Sequence, residues 1–175
     1  MNKSILIAGV GNIFLGDDAF GVEVAKHIAE RTWPAGVSIV DYGIRGFDLA
    51  YALLDSWDAV IIVDAMTRGG TPGTLYTIEP NLNDIAGSDL AVNPHGMDPL
   101  RVLNLAASLG TIAAKIYIVG CEPADFGDEL EGRTGLSEHL QSAVEEASNM
   151  VERLVGRIAY APAVGSARIQ SFEVA

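Results

Sequence analysis

Three side chains in this sequence have the types needed to share one divalent transition ion. They are Asp18 in GVGNIFLGDDAFG, Asp64 in VIIVDAM and His95 in NPHGMD. Two carboxylates and an imidazole would leave coordination positions open for a reacting group. The three lie far apart in the chain, so that chemistry depends on elements able to bring them to one place.

The hydropathy pattern supplies those elements. Residues 4–9 form an apolar run ended by glycine, as expected of a buried parallel strand. A first helix is expected over 18–31, with Phe20, Val24 and Ile28 or His27 on one stripe. Further strands are expected at 37–41, 59–64, 74–78 and 115–120, and helices at 46–55, from Asp98 to 109, and at 137–155. Asp98 followed by Pro99 is a strong helix start, and Ser137 is the expected cap of the last helix. Strands alternating with helices predict a three-layer α/β/α sandwich around a five-stranded, mostly parallel sheet. The link from 64 to 74 has no room for a crossover helix, so the fourth strand is expected to run antiparallel.

In such a sheet, ligands bind outside the carboxyl ends of the strands. Asp18 follows the first strand and Asp64 ends the third. His95 precedes a helix that leads into a parallel strand, so that helix must start at the same edge. Asp41 ends the second strand and is a fourth, weaker candidate. Each has a plainer explanation as well. Asp18 could serve only the positive end of the first helix, and Asp64 could bond only to loop amides. Asp17 could be the helix cap proper, freeing Asp18 to face the cleft. Convergence is what favours chemistry. His27 and His139 read as structural, and Cys121 as a small buried residue.

The bulk properties narrow the field. The chain has 175 residues, 49% of them hydrophobic and 19% charged, enough for one substantial core. A net charge of -12 and only three lysines argue against nucleic acid. No apolar run is long enough to span a bilayer, and the N-terminal stretch reads as a strand rather than a signal peptide. One cysteine excludes an internal disulfide and any cysteine-based zinc cluster. These features fit a soluble cytoplasmic protein, expected to be a monomer. A single α/β domain is expected over 1–155, with a mobile tail over 156–175. Gly9 and Gly11 invite a dinucleotide reading, but Phe14 takes the third glycine's place. The phosphate-loop, HExxH and GxSxG signatures are all missing.

The segments GVGNIFLGDDAFGVEVA, IIVDAM, PGTLY and NPHGMDPLRVL, in this order, resemble the hydrogenase maturation protease family over residues 4–155. The resemblance implies an endopeptidase that trims a short C-terminal extension from the large-subunit precursor of a nickel–iron hydrogenase, after nickel insertion. It places Asp18, Asp64 and His95 on the family's three metal-contacting positions. The metal implied is nickel carried by the substrate's cysteines, with none held tightly by the free enzyme. Asp41 aligns with the acid of the family's second motif, a further candidate for catalysis. There the run from Asp41 to Gly46, DYGIRG, departs from the usual Gly-Gly-Thr turn, which bears on the choice of hydrogenase. Two rivals stay open. One is a nucleoside- or sugar-phosphate-binding enzyme, for which Arg45 or Arg68 would have to hold phosphate. The other is a non-catalytic nickel chaperone, although such carriers usually show more histidines or cysteines.

Overall fold

A computed structural model describes residues 2–85, 98–127 and 131–160. Five strands form one sheet: β1 (Ile5–Val10), β2 (Val37–Gly43), β3 (Ala59–Ala65), β4 (Leu75–Ile78) and β5 (Lys115–Cys121). Five helices accompany them: α1 (Phe20–Ala29), α2 (Gly46–Ala52), the single turn α3 (Leu82–Ile85), α4 (Pro99–Leu109) and α5 (Glu138–Ala159). The spatial order is β2-β1-β3-β5-β4. β1 pairs in parallel with both β2 and β3, β3 pairs in parallel with β5, and β4 runs antiparallel. The expected mixed sheet is therefore present, with β4 on β5, which is inserted between β3 and β4.

Alternate residues of the central strands feed two cores. Ile5, Ile7, Ile61, Val63 and Val119 point to one side, under Phe20, Val24 and Ile28 of α1 and Leu140 and Val151 of α5. Leu6, Ala8, Val60, Ile62 and Ile118 point to the other, under Leu49 of α2 and Leu103 of α4. Burial on both faces is why these strands read as unbroken apolar runs. The two helix layers and the sheet make the α/β/α sandwich.

The chain leaves β1 for β2 on one side and later returns to β3 on the other, so the order reverses at β1. Doubly wound sheets open a crevice at such a switch point, above the carboxyl ends. Close approach of α1 sets that crevice. A Cβ on Gly9 would come within 2.6 Å of Ala25 Cβ, and one on Gly21 would run into the carbonyl oxygens of Val10 and Val63. These glycines let helix and strands meet backbone to backbone; that is a packing role rather than a nucleotide fingerprint.

Three local expectations differ. The first helix is split: a 3-10 turn over Gly16–Ala19 precedes α1. The last helix does not stop at 155 but continues through Gly156 to Ala159. Ser137 stands at its start without a side-chain capping bond, its hydroxyl turned to donate to Asp17. His95 and residues 161–175, most of the expected tail, lie outside the described residues. No helix among the described residues is long and apolar enough to cross a membrane.

Candidate functional site

The switch-point crevice carries two acids. Asp64 is the penultimate residue of β3, and only 4% of its surface is exposed. Asp18 sits on the 3-10 turn after β1 and is 8% exposed. The backbone amide of Asn12 donates to Asp18 Oδ2 at 2.7 Å, which closes the β1 loop around this carboxylate. That loop also needs Gly11, whose φ of 133° suits glycine and whose missing side chain leaves room for the Asp18 carbonyl.

Both carboxyls are held above their ordinary range. For Asp64 the chief cause is burial, followed by the nearby charge of Asp18; the Ala65 amide only partly opposes them, and Asp98 adds a further push upward. Burial also raises Asp18, against the stabilising amide of Asn12. Two desolvated acids that repel each other favour a proton or a cation between them. Asp98 belongs to the same edge: it caps α4, its Oδ1 accepting the Leu100 amide at 2.9 Å, and its charge reaches Asp64. Sequence reading found the cap but not its electrostatic reach.

The structure thus brings Asp18 and Asp64 together. Among the described residues no three His, Cys, Asp or Glu side chains converge on one cation position. His95, the third expected ligand, lies outside the described residues. Asp41 is exposed near the end of edge strand β2, paired with Gly9 of β1. The Asp41 backbone carbonyl accepts a bond from the Arg45 guanidinium.

Two buried acids outside the expected site, Asp17 and Glu122, hold this edge in shape. Asp17 does not cap α1. Its carboxylate accepts the amides of Ser137 at 2.7 Å, Ala124 at 2.8 Å and Asp125 at 3.1 Å, plus the Ser137 hydroxyl at 3.0 Å. Burial pushes its pKa upward, but these donors together bring it below the ordinary value. Asp17 therefore ties the turn bearing Asp18 to the start of α5. Asp17→Ala should cost about 2 kcal/mol, because three backbone amides and the Ser137 hydroxyl lose their shared acceptor, although these part-buried donors can still turn to water. A depressed pKa means this contribution is present above the unfolded value of 3.8 and is lost as pH falls through the folded one. Urea unfolding should show a gap between wild type and variant at neutral pH that narrows in acid.

Glu122 opens an acidic, glycine-bearing stretch after β5, yet it is buried. It accepts the amides of Arg68 at 2.8 Å and Gly69 at 3.1 Å and the Tyr76 hydroxyl at 2.8 Å. The loop leaving Asp64 is thereby pinned to the end of β5. Burial alone would raise the Glu122 pKa; the Tyr76 hydroxyl and the amides of Arg68, Gly70 and Gly69 outweigh it and bring the pKa down. The one hint in sequence is that Glu122 directly continues an apolar strand. Cys121 is fully buried and its thiol is pushed up to about 12, chiefly by burial, so it stays protonated at neutral pH.

The phosphate reading finds little support in this geometry. Arg45 is engaged with Tyr42 and Asp48, and Arg68 lies over the Tyr76 ring. The crevice itself presents acids, which repel phosphate.

A doubly wound α/β domain with a buried acid pair at its switch point has the build of a small α/β enzyme. Its relatives say which. The family model described as "Hydrogenase maturation protease" matches residues 22–154, and the chain belongs to that family of peptidases. The hydrogenase 2 maturation protease of Escherichia coli is 30% identical over 149 residues, covering 84% of this chain and 87% of the relative. The hydrogenase maturating endopeptidase HybD from E. coli superposes with a TM-score of 0.71 at 25% identity, covering 88% and 93% of the two chains. The [NiFe] hydrogenase maturation protease HycI from Thermococcus kodakarensis gives a TM-score of 0.63 at 27% identity, covering 90% and 93%.

Proposed function

We propose that this peptidase removes a C-terminal extension from the large-subunit precursor of a nickel–iron hydrogenase once nickel is in place. Asp18, Asp64 and His95 read that nickel, and Asp41 is a further candidate for the catalytic step. The protein acts in the cytoplasm as a monomer. The observation that carries the reading is the buried Asp18–Asp64 pair, which is destabilised as it stands and is relieved by a cation. The similarity to hydrogenase maturation proteases supplies the substrate class.

The logic is one of shared coordination. The precursor's thiolates hold nickel strongly, and carboxylate and imidazole complete its coordination from the enzyme side. Ligation requires an ionised Asp64 and an unprotonated imidazole at His95, so acid disfavours the complex. The nickel then fixes the enzyme relative to a peptide bond near it. In the hydrolysis, a water oxygen joins the carbonyl carbon, the C–N bond breaks, and the leaving amine takes a proton.

Incubation with nickel-loaded large-subunit precursor tests this. The expected result is a loss of mass equal to a short C-terminal peptide, seen by intact-mass spectrometry. An unchanged mass after prolonged incubation would overturn the assignment.

A further inference from the structure

Most of the exposed large apolar side chains among the described residues lie at one edge of the sheet. Among the described residues eight large apolar side chains are exposed. Ile13 and Phe14 lie in the loop after β1, Ile44 and Phe47 at the β2–α2 junction, and Phe126 in the loop after β5. All five belong to the carboxyl edge, where Asp18 and Asp64 sit. Tyr51 continues from Phe47 by one turn down α2, and only Leu109 and Tyr160, at the far ends of α4 and α5, stand elsewhere. Phe14 is 61% exposed, Ile44 68% and Phe47 70%.

This exposure is built into the fold. The Phe14 amide donates to Asn12 Oδ1 at 3.0 Å and the Leu15 amide to the Asn12 carbonyl at 3.1 Å, a turn that holds Phe14 outward. The three segments are also joined. The Gly11 amide donates to the Gly43 carbonyl at 3.0 Å, the Asp17 amide to the Asp125 carbonyl at 3.3 Å, and the Arg133 amide to the Phe14 carbonyl at 2.8 Å. Asn12, whose amide holds the Asp18 carboxylate, is the residue directly before Ile13.

Clustered exposed apolar side chains beside a site mark a surface that another molecule covers. The chemistry of that molecule follows from the charges nearby. Arg45 is paired with Asp48 and Arg133 with Asp125, so these cations are already matched within the chain. The rim calls for apolar contact rather than an acidic ligand. At the acids of a peptidase, the molecule that must pass is its polypeptide substrate.

We propose that the rim of Ile13, Phe14, Ile44, Phe47 and Phe126 docks an apolar stretch of the precursor polypeptide beside the bond that is cut. The proposal rests on the function above and adds the residues that hold the polypeptide, apart from those that read the metal. Three variants test it, Phe14→Ser, Ile44→Ser and Phe47→Ser, with Leu109→Ser and Tyr160→Ser as controls on the far side.

With nickel-loaded precursor as substrate, each rim variant should raise KM by about tenfold, the loss expected when a large apolar side chain is no longer buried on binding. Its kcat and Tm should stay at wild-type values, and the KM ratio should hold at low and high salt. The controls should match wild type throughout. Unchanged KM in all three rim variants would overturn the proposal, as would an equal rise in the controls. Sedimentation distinguishes a second copy as the occupant: a wild-type dimer that the rim variants dissociate, with KM unchanged, also overturns it. If wild type does not cut the precursor, the docking claim is read from binding alone. Precursor captured by wild type but not by the rim variants supports docking while the assigned reaction fails; equal capture, or none, overturns both.

Discussion

Asp64→Asn should abolish precursor cleavage and, at neutral pH, make the enzyme more stable to heat. The two effects share one cause. Asp64 is buried at the end of β3 and feels the charge of Asp18, so its pKa is raised well above 3.8. A group whose pKa is raised by folding contributes stability that is fully present below the unfolded value and is lost as pH rises through the folded value. Wild type therefore carries a penalty at neutral pH that asparagine, being neutral and of the same size, does not. Asparagine can still accept the Ala65 amide with its side-chain oxygen. The difference in Tm between variant and wild type should be small in mild acid and grow toward neutral pH. Activity moves the other way, because an amide is a poor ligand where an anion is needed. Losing several kcal/mol of metal interaction corresponds to a rate drop on the order of a thousandfold. Asp18→Asn should follow the same pattern more weakly, since it retains more solvent and its amide partner Asn12. A variant at Asp64 that cuts precursor at the wild-type rate would contradict metal reading by this acid. One that cuts nothing but shows no gain in Tm at neutral pH would contradict the buried, strained pair.

The legible parts of this fold are those where local pattern and tertiary demand agree. β1, β3 and β5 are buried on both faces and read as apolar runs; the acids at their ends then follow from topology alone. The antiparallel β4 was legible from the shortness of the link after Asp64. What escaped was set by contacts between segments distant in sequence. Asp17 has the composition of a helix cap, yet its carboxylate goes to Ala124, Asp125 and Ser137. This also takes the Ser137 hydroxyl away from α5. Glu122 sits in a stretch whose acidity suggests solvent, but Arg68, Gly69 and Tyr76 wait for it across the sheet. Gly156 suggests a helix end, but a mid-helix glycine costs only about 1 kcal/mol relative to alanine. The packing of Ile158 and Ala159, beyond the glycine, against the core carries α5 past it. The exposed rim was invisible for a different reason: a phenylalanine in a loop has no periodicity to say whether it is covered.

Nickel-loaded precursor should be cut and nickel-free precursor left intact, even after the enzyme has been treated with chelator and desalted. The buried acids supply too few and too hard a set of donors to keep nickel through such treatment; the thiolates of the partner are the softer and stronger ligands. Productive metal therefore arrives with the substrate. Without it, docking would bring the Asp18–Asp64 pair, whose pKa values are already raised, against unmetallated thiols, and any thiolate among them would add like charge in a desolvated crevice. The metal thus acts as both an attraction for the loaded partner and, by its absence, a repulsion of the empty one, the combination that makes recognition selective. The ratio of cleavage rates should reach about a hundredfold or more, since without the cation the acids and thiols have nothing to bridge them and any ionised group among them is left unpaired. Equal rates on the two precursors would remove nickel as the recognition element while leaving the peptidase assignment standing. Activity lost on chelation of the enzyme and restored only by zinc would instead make this a resident-metal peptidase. In that case Asp18 and Asp64 would hold the metal permanently, and the purified protein would contain it in stoichiometric amount.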